Sequence, residues 1–186
     1  MVRFVLFLLP LLANASPNCP EGWTEGLSLG LGCLYLLQEG LDWWSAGRKC
    51  QDLVDGAHLV QIDNIEQLAF LEQGLNFADG STWTWHNNWW TGANDLDMEG
   101  DWTWSRSNHS NSGSSVDDFL WASDQPDNCV SDNGYPGCLA DENCGALVSG
   151  EDHMYNKYKM VDMYCDMDLD YNRLMYSVCQ FNPFKD

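Results

Sequence analysis

The chain contains eight cysteines, and all of them lie after residue 16. An even number of cysteines in a chain of 186 residues is typical of a disulfide framework formed in an oxidising compartment. Eight cysteines allow about a hundred pairings, so their positions alone leave the connectivity open. A zinc site is the alternative use of cysteine, but there is no CxxC motif and the four histidines show no ligand spacing. The cysteines therefore predict a cross-linked extracellular domain.

The first fifteen residues have the pattern of a secretory signal peptide. Arg3 supplies a positive charge, residues 4–12 form an apolar run, and Ala-Asn-Ala at 13–15 fits a cleavage site. A membrane anchor is the alternative, but this run is well below the roughly twenty residues that span a bilayer. We therefore expect a signal peptide at 1–15 and one secreted domain at 16–186, without membrane insertion.

The chain is strongly acidic, with 28 acidic residues against 8 basic ones and a net charge of -20. This charge argues against nucleic acid and anionic membranes as partners, because both would be repelled. It suits a cation-binding or mineral-facing protein, and it is equally compatible with simple solubility. A secreted hydrolase is a further alternative, since paired carboxylates could act as acid and base. No GxSxG or HExxH motif occurs, so we expect no enzyme.

Two segments show the apolar spacing of helices. A helix at 41–55 would place four apolar side chains roughly on one face, namely Trp44, Cys50, Leu53 and Val54. The second helix follows Asn64, a predicted N-cap with Gln67 three residues later, and extends to about Gly80. Residues 19–37 consist instead of two short apolar runs separated by glycines, which predicts an N-terminal hairpin. These elements are expected to form scaffold.

Side-chain oxygens recur between residues 121 and 165. Gln125 and Asp127 flank a proline. Glu142 lies two residues before a cysteine, and Asp162 lies three residues before the next one. Carboxylate and amide oxygens are the ligands that calcium prefers. The competing explanation is composition, because so acidic a chain places several carboxylates in any window of this length.

These landmarks resemble the C-type lectin family, and the resemblance extends from about Cys19 to Cys179. Family members carry a Gln-Pro-Asp or Glu-Pro-Asn tripeptide, a glutamate two residues before a cysteine, and a Trp-Asn-Asp run before the next cysteine. Residues 88–93 (NWWTGA) and 99–104 (EGDWTW) are also similar to family strands. The departure is at 160–162, where Met-Val-Asp replaces Trp-Asn-Asp, so Val161 lacks the side-chain oxygen of the family asparagine.

The resemblance implies an α+β fold with two helices, small antiparallel sheets and a long calcium-binding loop, stabilised by disulfides. It implies three disulfide pairs and leaves the last two cysteines to each other: Cys19 with Cys33, Cys50 with Cys179, Cys144 with Cys165, and Cys129 with Cys138.

The resemblance also implies a site that binds calcium and a sugar through the same residues. Its ligands would be Gln125, Asp127, Glu142 and Asp162, with the backbone carbonyl of Asp162, and the bond before Pro126 would be cis. Two vicinal sugar hydroxyls would complete a shell of about seven oxygens, so the valine is expected to weaken the site rather than abolish it. The order Gln-Pro-Asp resembles the family's galactose-type loop.

Four other positions bear on this site or its surroundings. Trp121 and Tyr135 flank the loop and are candidates for contact with a sugar, whereas most of the ten tryptophans are expected in the core. A second calcium ion near Asn128 and Asn143 is left open. Asn108 begins an N-glycosylation sequon in a polar stretch.

The function implied by the resemblance is that of a secreted lectin for terminal galactose-type glycans, acting in recognition of microbial or cell-surface glycans, as in innate immunity. One shallow site would bind a monosaccharide at about millimolar affinity, so useful avidity favours clustered sites or a homo-oligomer. The alternative is a calcium-independent module of the same fold that binds a protein or mineral partner, which the valine and the acidity favour.

Overall fold

The computed structural model describes residues 19–78, 88–105, 111–128, 141–148, 158–166 and 175–183. Within these ranges the chain forms two helices, α1 (Trp43–Leu53) and α2 (Ile65–Ala78). The strands are, in chain order, β1 (Thr24–Gly26), β2 (Gly32–Leu41), β3 (His58–Leu59), β4 (Trp89–Asn94), β5 (Thr103–Ser105), β6 (Asn111–Ser115), β7 (Cys144–Val148), β8 (Lys159–Met163) and β9 (Met175–Phe181).

The strands are joined into one sheet whose main order is β1-β2-β9-β4-β5-β6. β3 pairs with β9, and β7 pairs with both β4 and β8. Among the described strands, β4 and β9 are parallel and the other pairs are antiparallel. The predicted α+β class is confirmed, with one addition: the parallel pair links the antiparallel parts. The predicted N-terminal hairpin is confirmed by β1 and β2.

α1 begins after Asp42, whose carboxylate accepts a 2.7 Å hydrogen bond from the backbone N–H of Ser45. The helix was predicted, and its packed face was predicted in part: Cys50 is buried, and Trp44 and Val54 are half-buried against the core. The buried residues are spaced i, i+3, i+4 and i+7, and they are Trp43, Ala46, Gly47 and Cys50. Leu53 is exposed, and Trp43, which is one residue and about 100° of helical turn from Trp44, is the more deeply buried of the two tryptophans.

α2 begins at the predicted cap. The side-chain oxygen of Asn64 accepts a 2.9 Å hydrogen bond from the backbone N–H of Gln67. The amide oxygen of Gln67 accepts in turn from the backbone N–H of Asp63, at 2.6 Å. The apolar face of α2 is buried through Leu68, Leu71 and Leu75. The helix therefore satisfies its first donors locally and is fixed to the core by its leucines.

The core is built around β4, all six residues of which are buried. Two indole N–H groups are satisfied inside it: Trp43 donates to the carbonyl of Thr91 at 2.8 Å, and Trp90 donates to the carbonyl of Leu41 at 2.9 Å. The buried tryptophans of the described residues are Trp43, Trp89, Trp90, Trp102, Trp104 and Trp121. The expectation that most tryptophans are core residues therefore holds for the described part of the chain.

Three of the predicted disulfides are present. Cys19 is bonded to Cys33 within the N-terminal hairpin, Cys50 to Cys179 between α1 and β9, and Cys144 to Cys165 across the ends of β7 and β8. The fourth predicted pair, Cys129 with Cys138, lies outside the described residues. Among the helices that are described, none has the length and apolar character needed to cross a membrane.

Candidate functional site

Three carboxylates that are far apart in the sequence meet at one end of β8. One oxygen each of Asp127, Glu142 and Asp162 lies within 4.8 Å of the others. Asp127 is exposed, Glu142 is half-buried and Asp162 is buried. The cluster is therefore open to solvent on one side and enclosed on the other, as a site for an ion and an external ligand requires.

The pairing of β7 with β8 brings two of these carboxylates together. The strands are antiparallel, and Gly145 is paired with Asp162. Glu142 lies just before β7, so it reaches the same end of the hairpin as Asp162. The disulfide from Cys144 to Cys165 links the two strands at that end. Glu142 and Asp162 thus owe their proximity to strand pairing that is secured covalently.

Gly145 allows β7 to approach β4 closely. A Cβ atom at this position would lie 2.7 Å from the Cβ of Ala93, which is closer than real side chains come. The residue is thus a glycine because a neighbouring strand occupies the space of a side chain. This contact holds Gly145, the strand partner of Asp162, against the buried strand β4.

The loop from Trp121 to Asn128 packs against β8 and carries the third carboxylate. The backbone N–H of Ala122 donates to the carbonyl of Met160 at 2.9 Å. The peptide bond between Gln125 and Pro126 is cis, as expected. The amide oxygen of Gln125 accepts a 3.2 Å hydrogen bond from the backbone N–H of Asp162, and an amide oxygen has a second lone pair for another partner.

Asn128 connects this loop to two other segments. Its backbone N–H donates to Oδ2 of Asp162 at 2.6 Å, and its side-chain N–H donates to Oε1 of Glu99 at 2.8 Å. Its side-chain oxygen accepts from the backbone N–H of Glu142, also at 2.8 Å. The residue has a φ of 47°, in the left-handed region that asparagine tolerates better than most residues.

Asp162 is the most enclosed of the carboxylates, with 2 % of its surface exposed. Its Oδ1 atom is buried and has no hydrogen-bond partner among the described residues. Burial raises the pKa of Asp162, the nearby charge of Asp127 adds to the rise, and backbone N–H groups of Asn128 and Asp127 oppose it. A buried carboxylate oxygen without a donor is suited to a cation. With oxygen donors alone around it, the chemistry fits calcium.

A second group of oxygens lies beside this cluster, of which sequence reasoning named Asn143 but missed Asp95. The backbone N–H of Asp95 donates to the carbonyl of Asn143 at 3.3 Å. Oδ1 of Asp95 and Oδ1 of Asn143 are both buried without a hydrogen-bond partner in the described chain. Burial raises the pKa of Asp95, and the charges of Asp162 and Asp141 raise it further, against the backbone N–H of Gly100. The available signal was an aspartate two residues after the predicted core strand at 88–93.

Several predicted residues have a different place from the one expected or are not described. Trp121 is 9 % exposed, with its ring 4.6 Å from that of Trp102, so this packing accounts for it as a core residue. Its contact with a sugar stays a prediction. Tyr135 and Asn108 lie outside the described residues. Val161 is buried and paired with Ala146 in the β7–β8 hairpin.

Comparisons with known proteins agree with this architecture. Residues 39–150 match the family described as the lectin C-type domain. The chain is 27 % identical to a perlucin-like protein of Mytilus galloprovincialis over 155 residues, which are 83 % of this chain and 81 % of that protein. It is 30 % identical to the galactose-specific lectin nattectin of Thalassophryne nattereri over 117 residues, which are 63 % of this chain and 64 % of nattectin.

A solved structure gives the same fold. The crystal structure of human lithostathine superposes with a TM-score of 0.62 at 23 % identity, and the match covers 92 % of this chain and 95 % of that one. Together with the match over residues 39–150, these likenesses show that the chain belongs to the C-type lectin domain family.

Proposed function

We propose that this protein is a secreted calcium-dependent lectin that binds terminal galactose-type glycans. The observation that carries the proposal is the convergence of Asp127, Glu142 and Asp162 within 4.8 Å. It is supported by the buried, unpartnered Oδ1 atom of Asp162. At neutral pH three carboxylates in so small a space repel one another, which lowers stability. A divalent cation would offset this repulsion.

The ligand set would be drawn from the residues at this cluster. Asp127, Glu142 and Asp162 would supply carboxylate oxygens, and Gln125 would supply its amide oxygen. The backbone carbonyl of Asp162 would be the fifth ligand. Calcium accepts about six to eight oxygens, so the chain leaves room for about two from outside. The coordination shell can therefore be completed although Val161 contributes no side-chain oxygen.

The sugar would bind at the exposed side of this cluster. Calcium, when bound, supplies a hard cation that can coordinate two vicinal sugar hydroxyls. The protein's own contribution would be to accept hydrogen bonds from those hydroxyls through carboxylate oxygens of Asp127 and Glu142. Asp127 is exposed, so it would face the sugar directly. Binding without turnover is the chemistry that this arrangement supports.

The preference for galactose is inferred from the loop sequence. Residues 125–127 read Gln-Pro-Asp, the order that resembles the family's galactose-type loop. A relative with 30 % identity is named as a galactose-specific lectin, which supports the same preference here. We further propose that residues 1–15 direct secretion and that the protein serves in recognition of microbial or cell-surface glycans. Several sites on one surface, or a homo-oligomer, would supply the avidity that one shallow site lacks.

The test is retention of the refolded mature protein on galactose and mannose matrices in calcium, followed by elution with a chelator. Retention on galactose that is lost with chelator and with Asp127→Ala supports the proposal. Asp55→Ala is the matched control, because Asp55 is an exposed aspartate in the turn after α1. Absence of retention on either sugar, from a folded and disulfide-bonded sample, would contradict it.

A second calcium ion is proposed beside the first. Asp95 and Asn143 each have a buried oxygen without a hydrogen-bond partner in the described chain, and they are joined by a backbone hydrogen bond. Oxygen atoms in that state suit a hard cation. Calorimetric titration that gives two calcium ions per chain, reduced to one by Asp95→Asn, would support this second site.

Two observations favour the alternative function, a calcium-independent module for a protein or mineral partner. Val161 is apolar and buried where the family has an asparagine ligand, and the chain has a net charge of -20. In this case the chelator would leave partner binding unchanged, or the protein would adsorb to a calcium mineral without binding either sugar. The affinity experiment above separates the two functions.

A further inference from the structure

We propose that Asn128 is the positioning residue of this site, and that it holds the carboxylates together before any cation binds. The inference rests on the proposed function in one respect: calcium is the cation whose binding it would assist. The role of Asn128 in the calcium-free protein depends only on hydrogen bonds within the chain.

Asn128 is hydrogen-bonded to three other segments of the chain, through its side chain and its backbone N–H. Asn128 donates from its side chain to Glu99, in the turn after β4, and accepts at its side-chain oxygen from the backbone N–H of Glu142, before β7. Its backbone N–H donates to Asp162 in β8. One residue thus connects the loop to the turn after β4, to the segment before β7 and to β8.

Asparagine suits this position because its short, uncharged side chain carries both a hydrogen-bond donor and an acceptor. The position needs an acceptor for the Glu142 N–H and a donor for the Glu99 carboxylate on one short side chain. Aspartate would keep the acceptor but place a carboxylate 2.8 Å from that of Glu99. Asparagine supplies the donor without adding charge to an acidic cluster, and it tolerates the φ of 47°.

The hydrogen bonds of Asn128 should also strengthen the binding of a cation. Ligands that are already held in place lose less conformational freedom when the ion arrives, so a fixed arrangement strengthens binding. Asn128 does not need to touch the ion for this effect. It acts through Asp162 and Glu142, both of which it contacts.

The calcium-free experiment compares four proteins by amide hydrogen exchange in chelator. Asn128→Asp should raise exchange several-fold at 95–101 and 141–144, because the Glu99 bond becomes a repulsion. Asn128→Asp combined with Glu99→Gln should restore protection, since the amide and the carboxylate exchange roles. Gln73→Glu adds the same charge on an exposed part of α2 and should change neither segment. Exchange within α1 should be the same in all four, which excludes general destabilisation.

The calcium experiment compares the wild-type protein with Asn128→Gly, which keeps the backbone N–H and the left-handed φ but removes both side-chain bonds. Calcium should bind roughly tenfold more weakly, the size expected when a charged hydrogen bond is lost. Unchanged affinity would overturn the inference, as would Asn128→Asp with wild-type protection or a double variant that fails to recover. If the wild-type protein binds no calcium, the proposed function fails, and the exchange data still decide the role of Asn128.

Discussion

The backbone N–H of Asn128 lies 2.6 Å from Oδ2 of Asp162, and this bond attaches the loop of Gln125 and Asp127 to β8. One oxygen of the buried carboxylate is therefore engaged by the protein. The other, Oδ1, has no partner among the described residues. Asp162 thus fixes the loop with one oxygen, and the other is the oxygen that would bind the cation in the proposed site.

Asp162→Asn should stabilise the calcium-free protein at neutral pH and prevent calcium binding. Burial raises the pKa of Asp162, so the folded protein binds a proton at this group more readily than the unfolded chain does. The charged group consequently lowers stability above its raised pKa, and this loss is relieved as the pH falls towards the ordinary aspartate pKa of about 3.9. Urea unfolding in chelator should show a higher free energy of unfolding for the variant at pH 7.

Urea unfolding measured at a series of pH values provides a control for this prediction. The difference between Asp162→Asn and the wild-type protein should shrink as the pH falls through the raised pKa of Asp162 towards the ordinary value of about 3.9. Asp55→Asn, which removes the same charge at an exposed position, is the control variant. A stability difference that is independent of pH would contradict the role given to the buried charge.

Val161→Asn should strengthen calcium binding. The new side-chain oxygen lies one residue before Asp162 and would add a ligand, for which we expect about a tenfold gain in affinity. Because Val161 is buried, the amide should lower the stability of the calcium-free protein by about 1–3 kcal/mol. Calorimetric titration and urea unfolding measure the two effects. Val148→Asn, on the neighbouring strand, is the control, and equal affinity in Val161→Asn and wild type would refute the prediction.

Bound calcium should stabilise the fold, and the stabilisation should grow with the logarithm of the free calcium concentration above Kd. At a free concentration of a hundred times Kd, one bound ion adds about 2.7 kcal/mol. For a domain of this size the Tm should rise by about 5–10 °C. Scanning calorimetry with calcium or with chelator measures this, and Asp127→Ala should remove the rise. Identical melting with calcium and with chelator would favour the calcium-independent module.

Gly145→Ala and Gly74→Ala should have opposite effects on stability. The new methyl at Gly145 would meet the Cβ of Ala93 at 2.7 Å, and overpacking of this kind costs about 1–3 kcal/mol. A methyl at Gly74 in α2 meets nothing within 4 Å, so the helix should gain about 0.5–1 kcal/mol. Thermal unfolding of both variants tests the claim, and a stable Gly145→Ala protein would show that β7 can move away from β4.

The amino-acid sequence was sufficient for features that depend on neighbouring residues or on a recognisable pattern. The cap at Asn64 was predictable because it is a local hydrogen bond to Gln67. The fold class followed from the resemblance, as did the three described disulfides. The face of α1 was predicted only in part: Cys50 is buried, but Leu53 is exposed and Trp43 is buried more deeply than Trp44. Both tryptophans are large and apolar, so only packing distinguishes them.

The site itself combines both kinds of information. The sequence by itself determined the donor types, since Gln125, Asp127, Glu142 and Asp162 could be named from their positions relative to a proline and two cysteines. Only the tertiary structure decided that Asp95 and Glu99 adjoin them, and that Asn128 joins the segments. The physical reason is that these contacts depend on strand pairing and loop packing between distant segments. Such pairings arise from the whole core, and no local pattern encodes them.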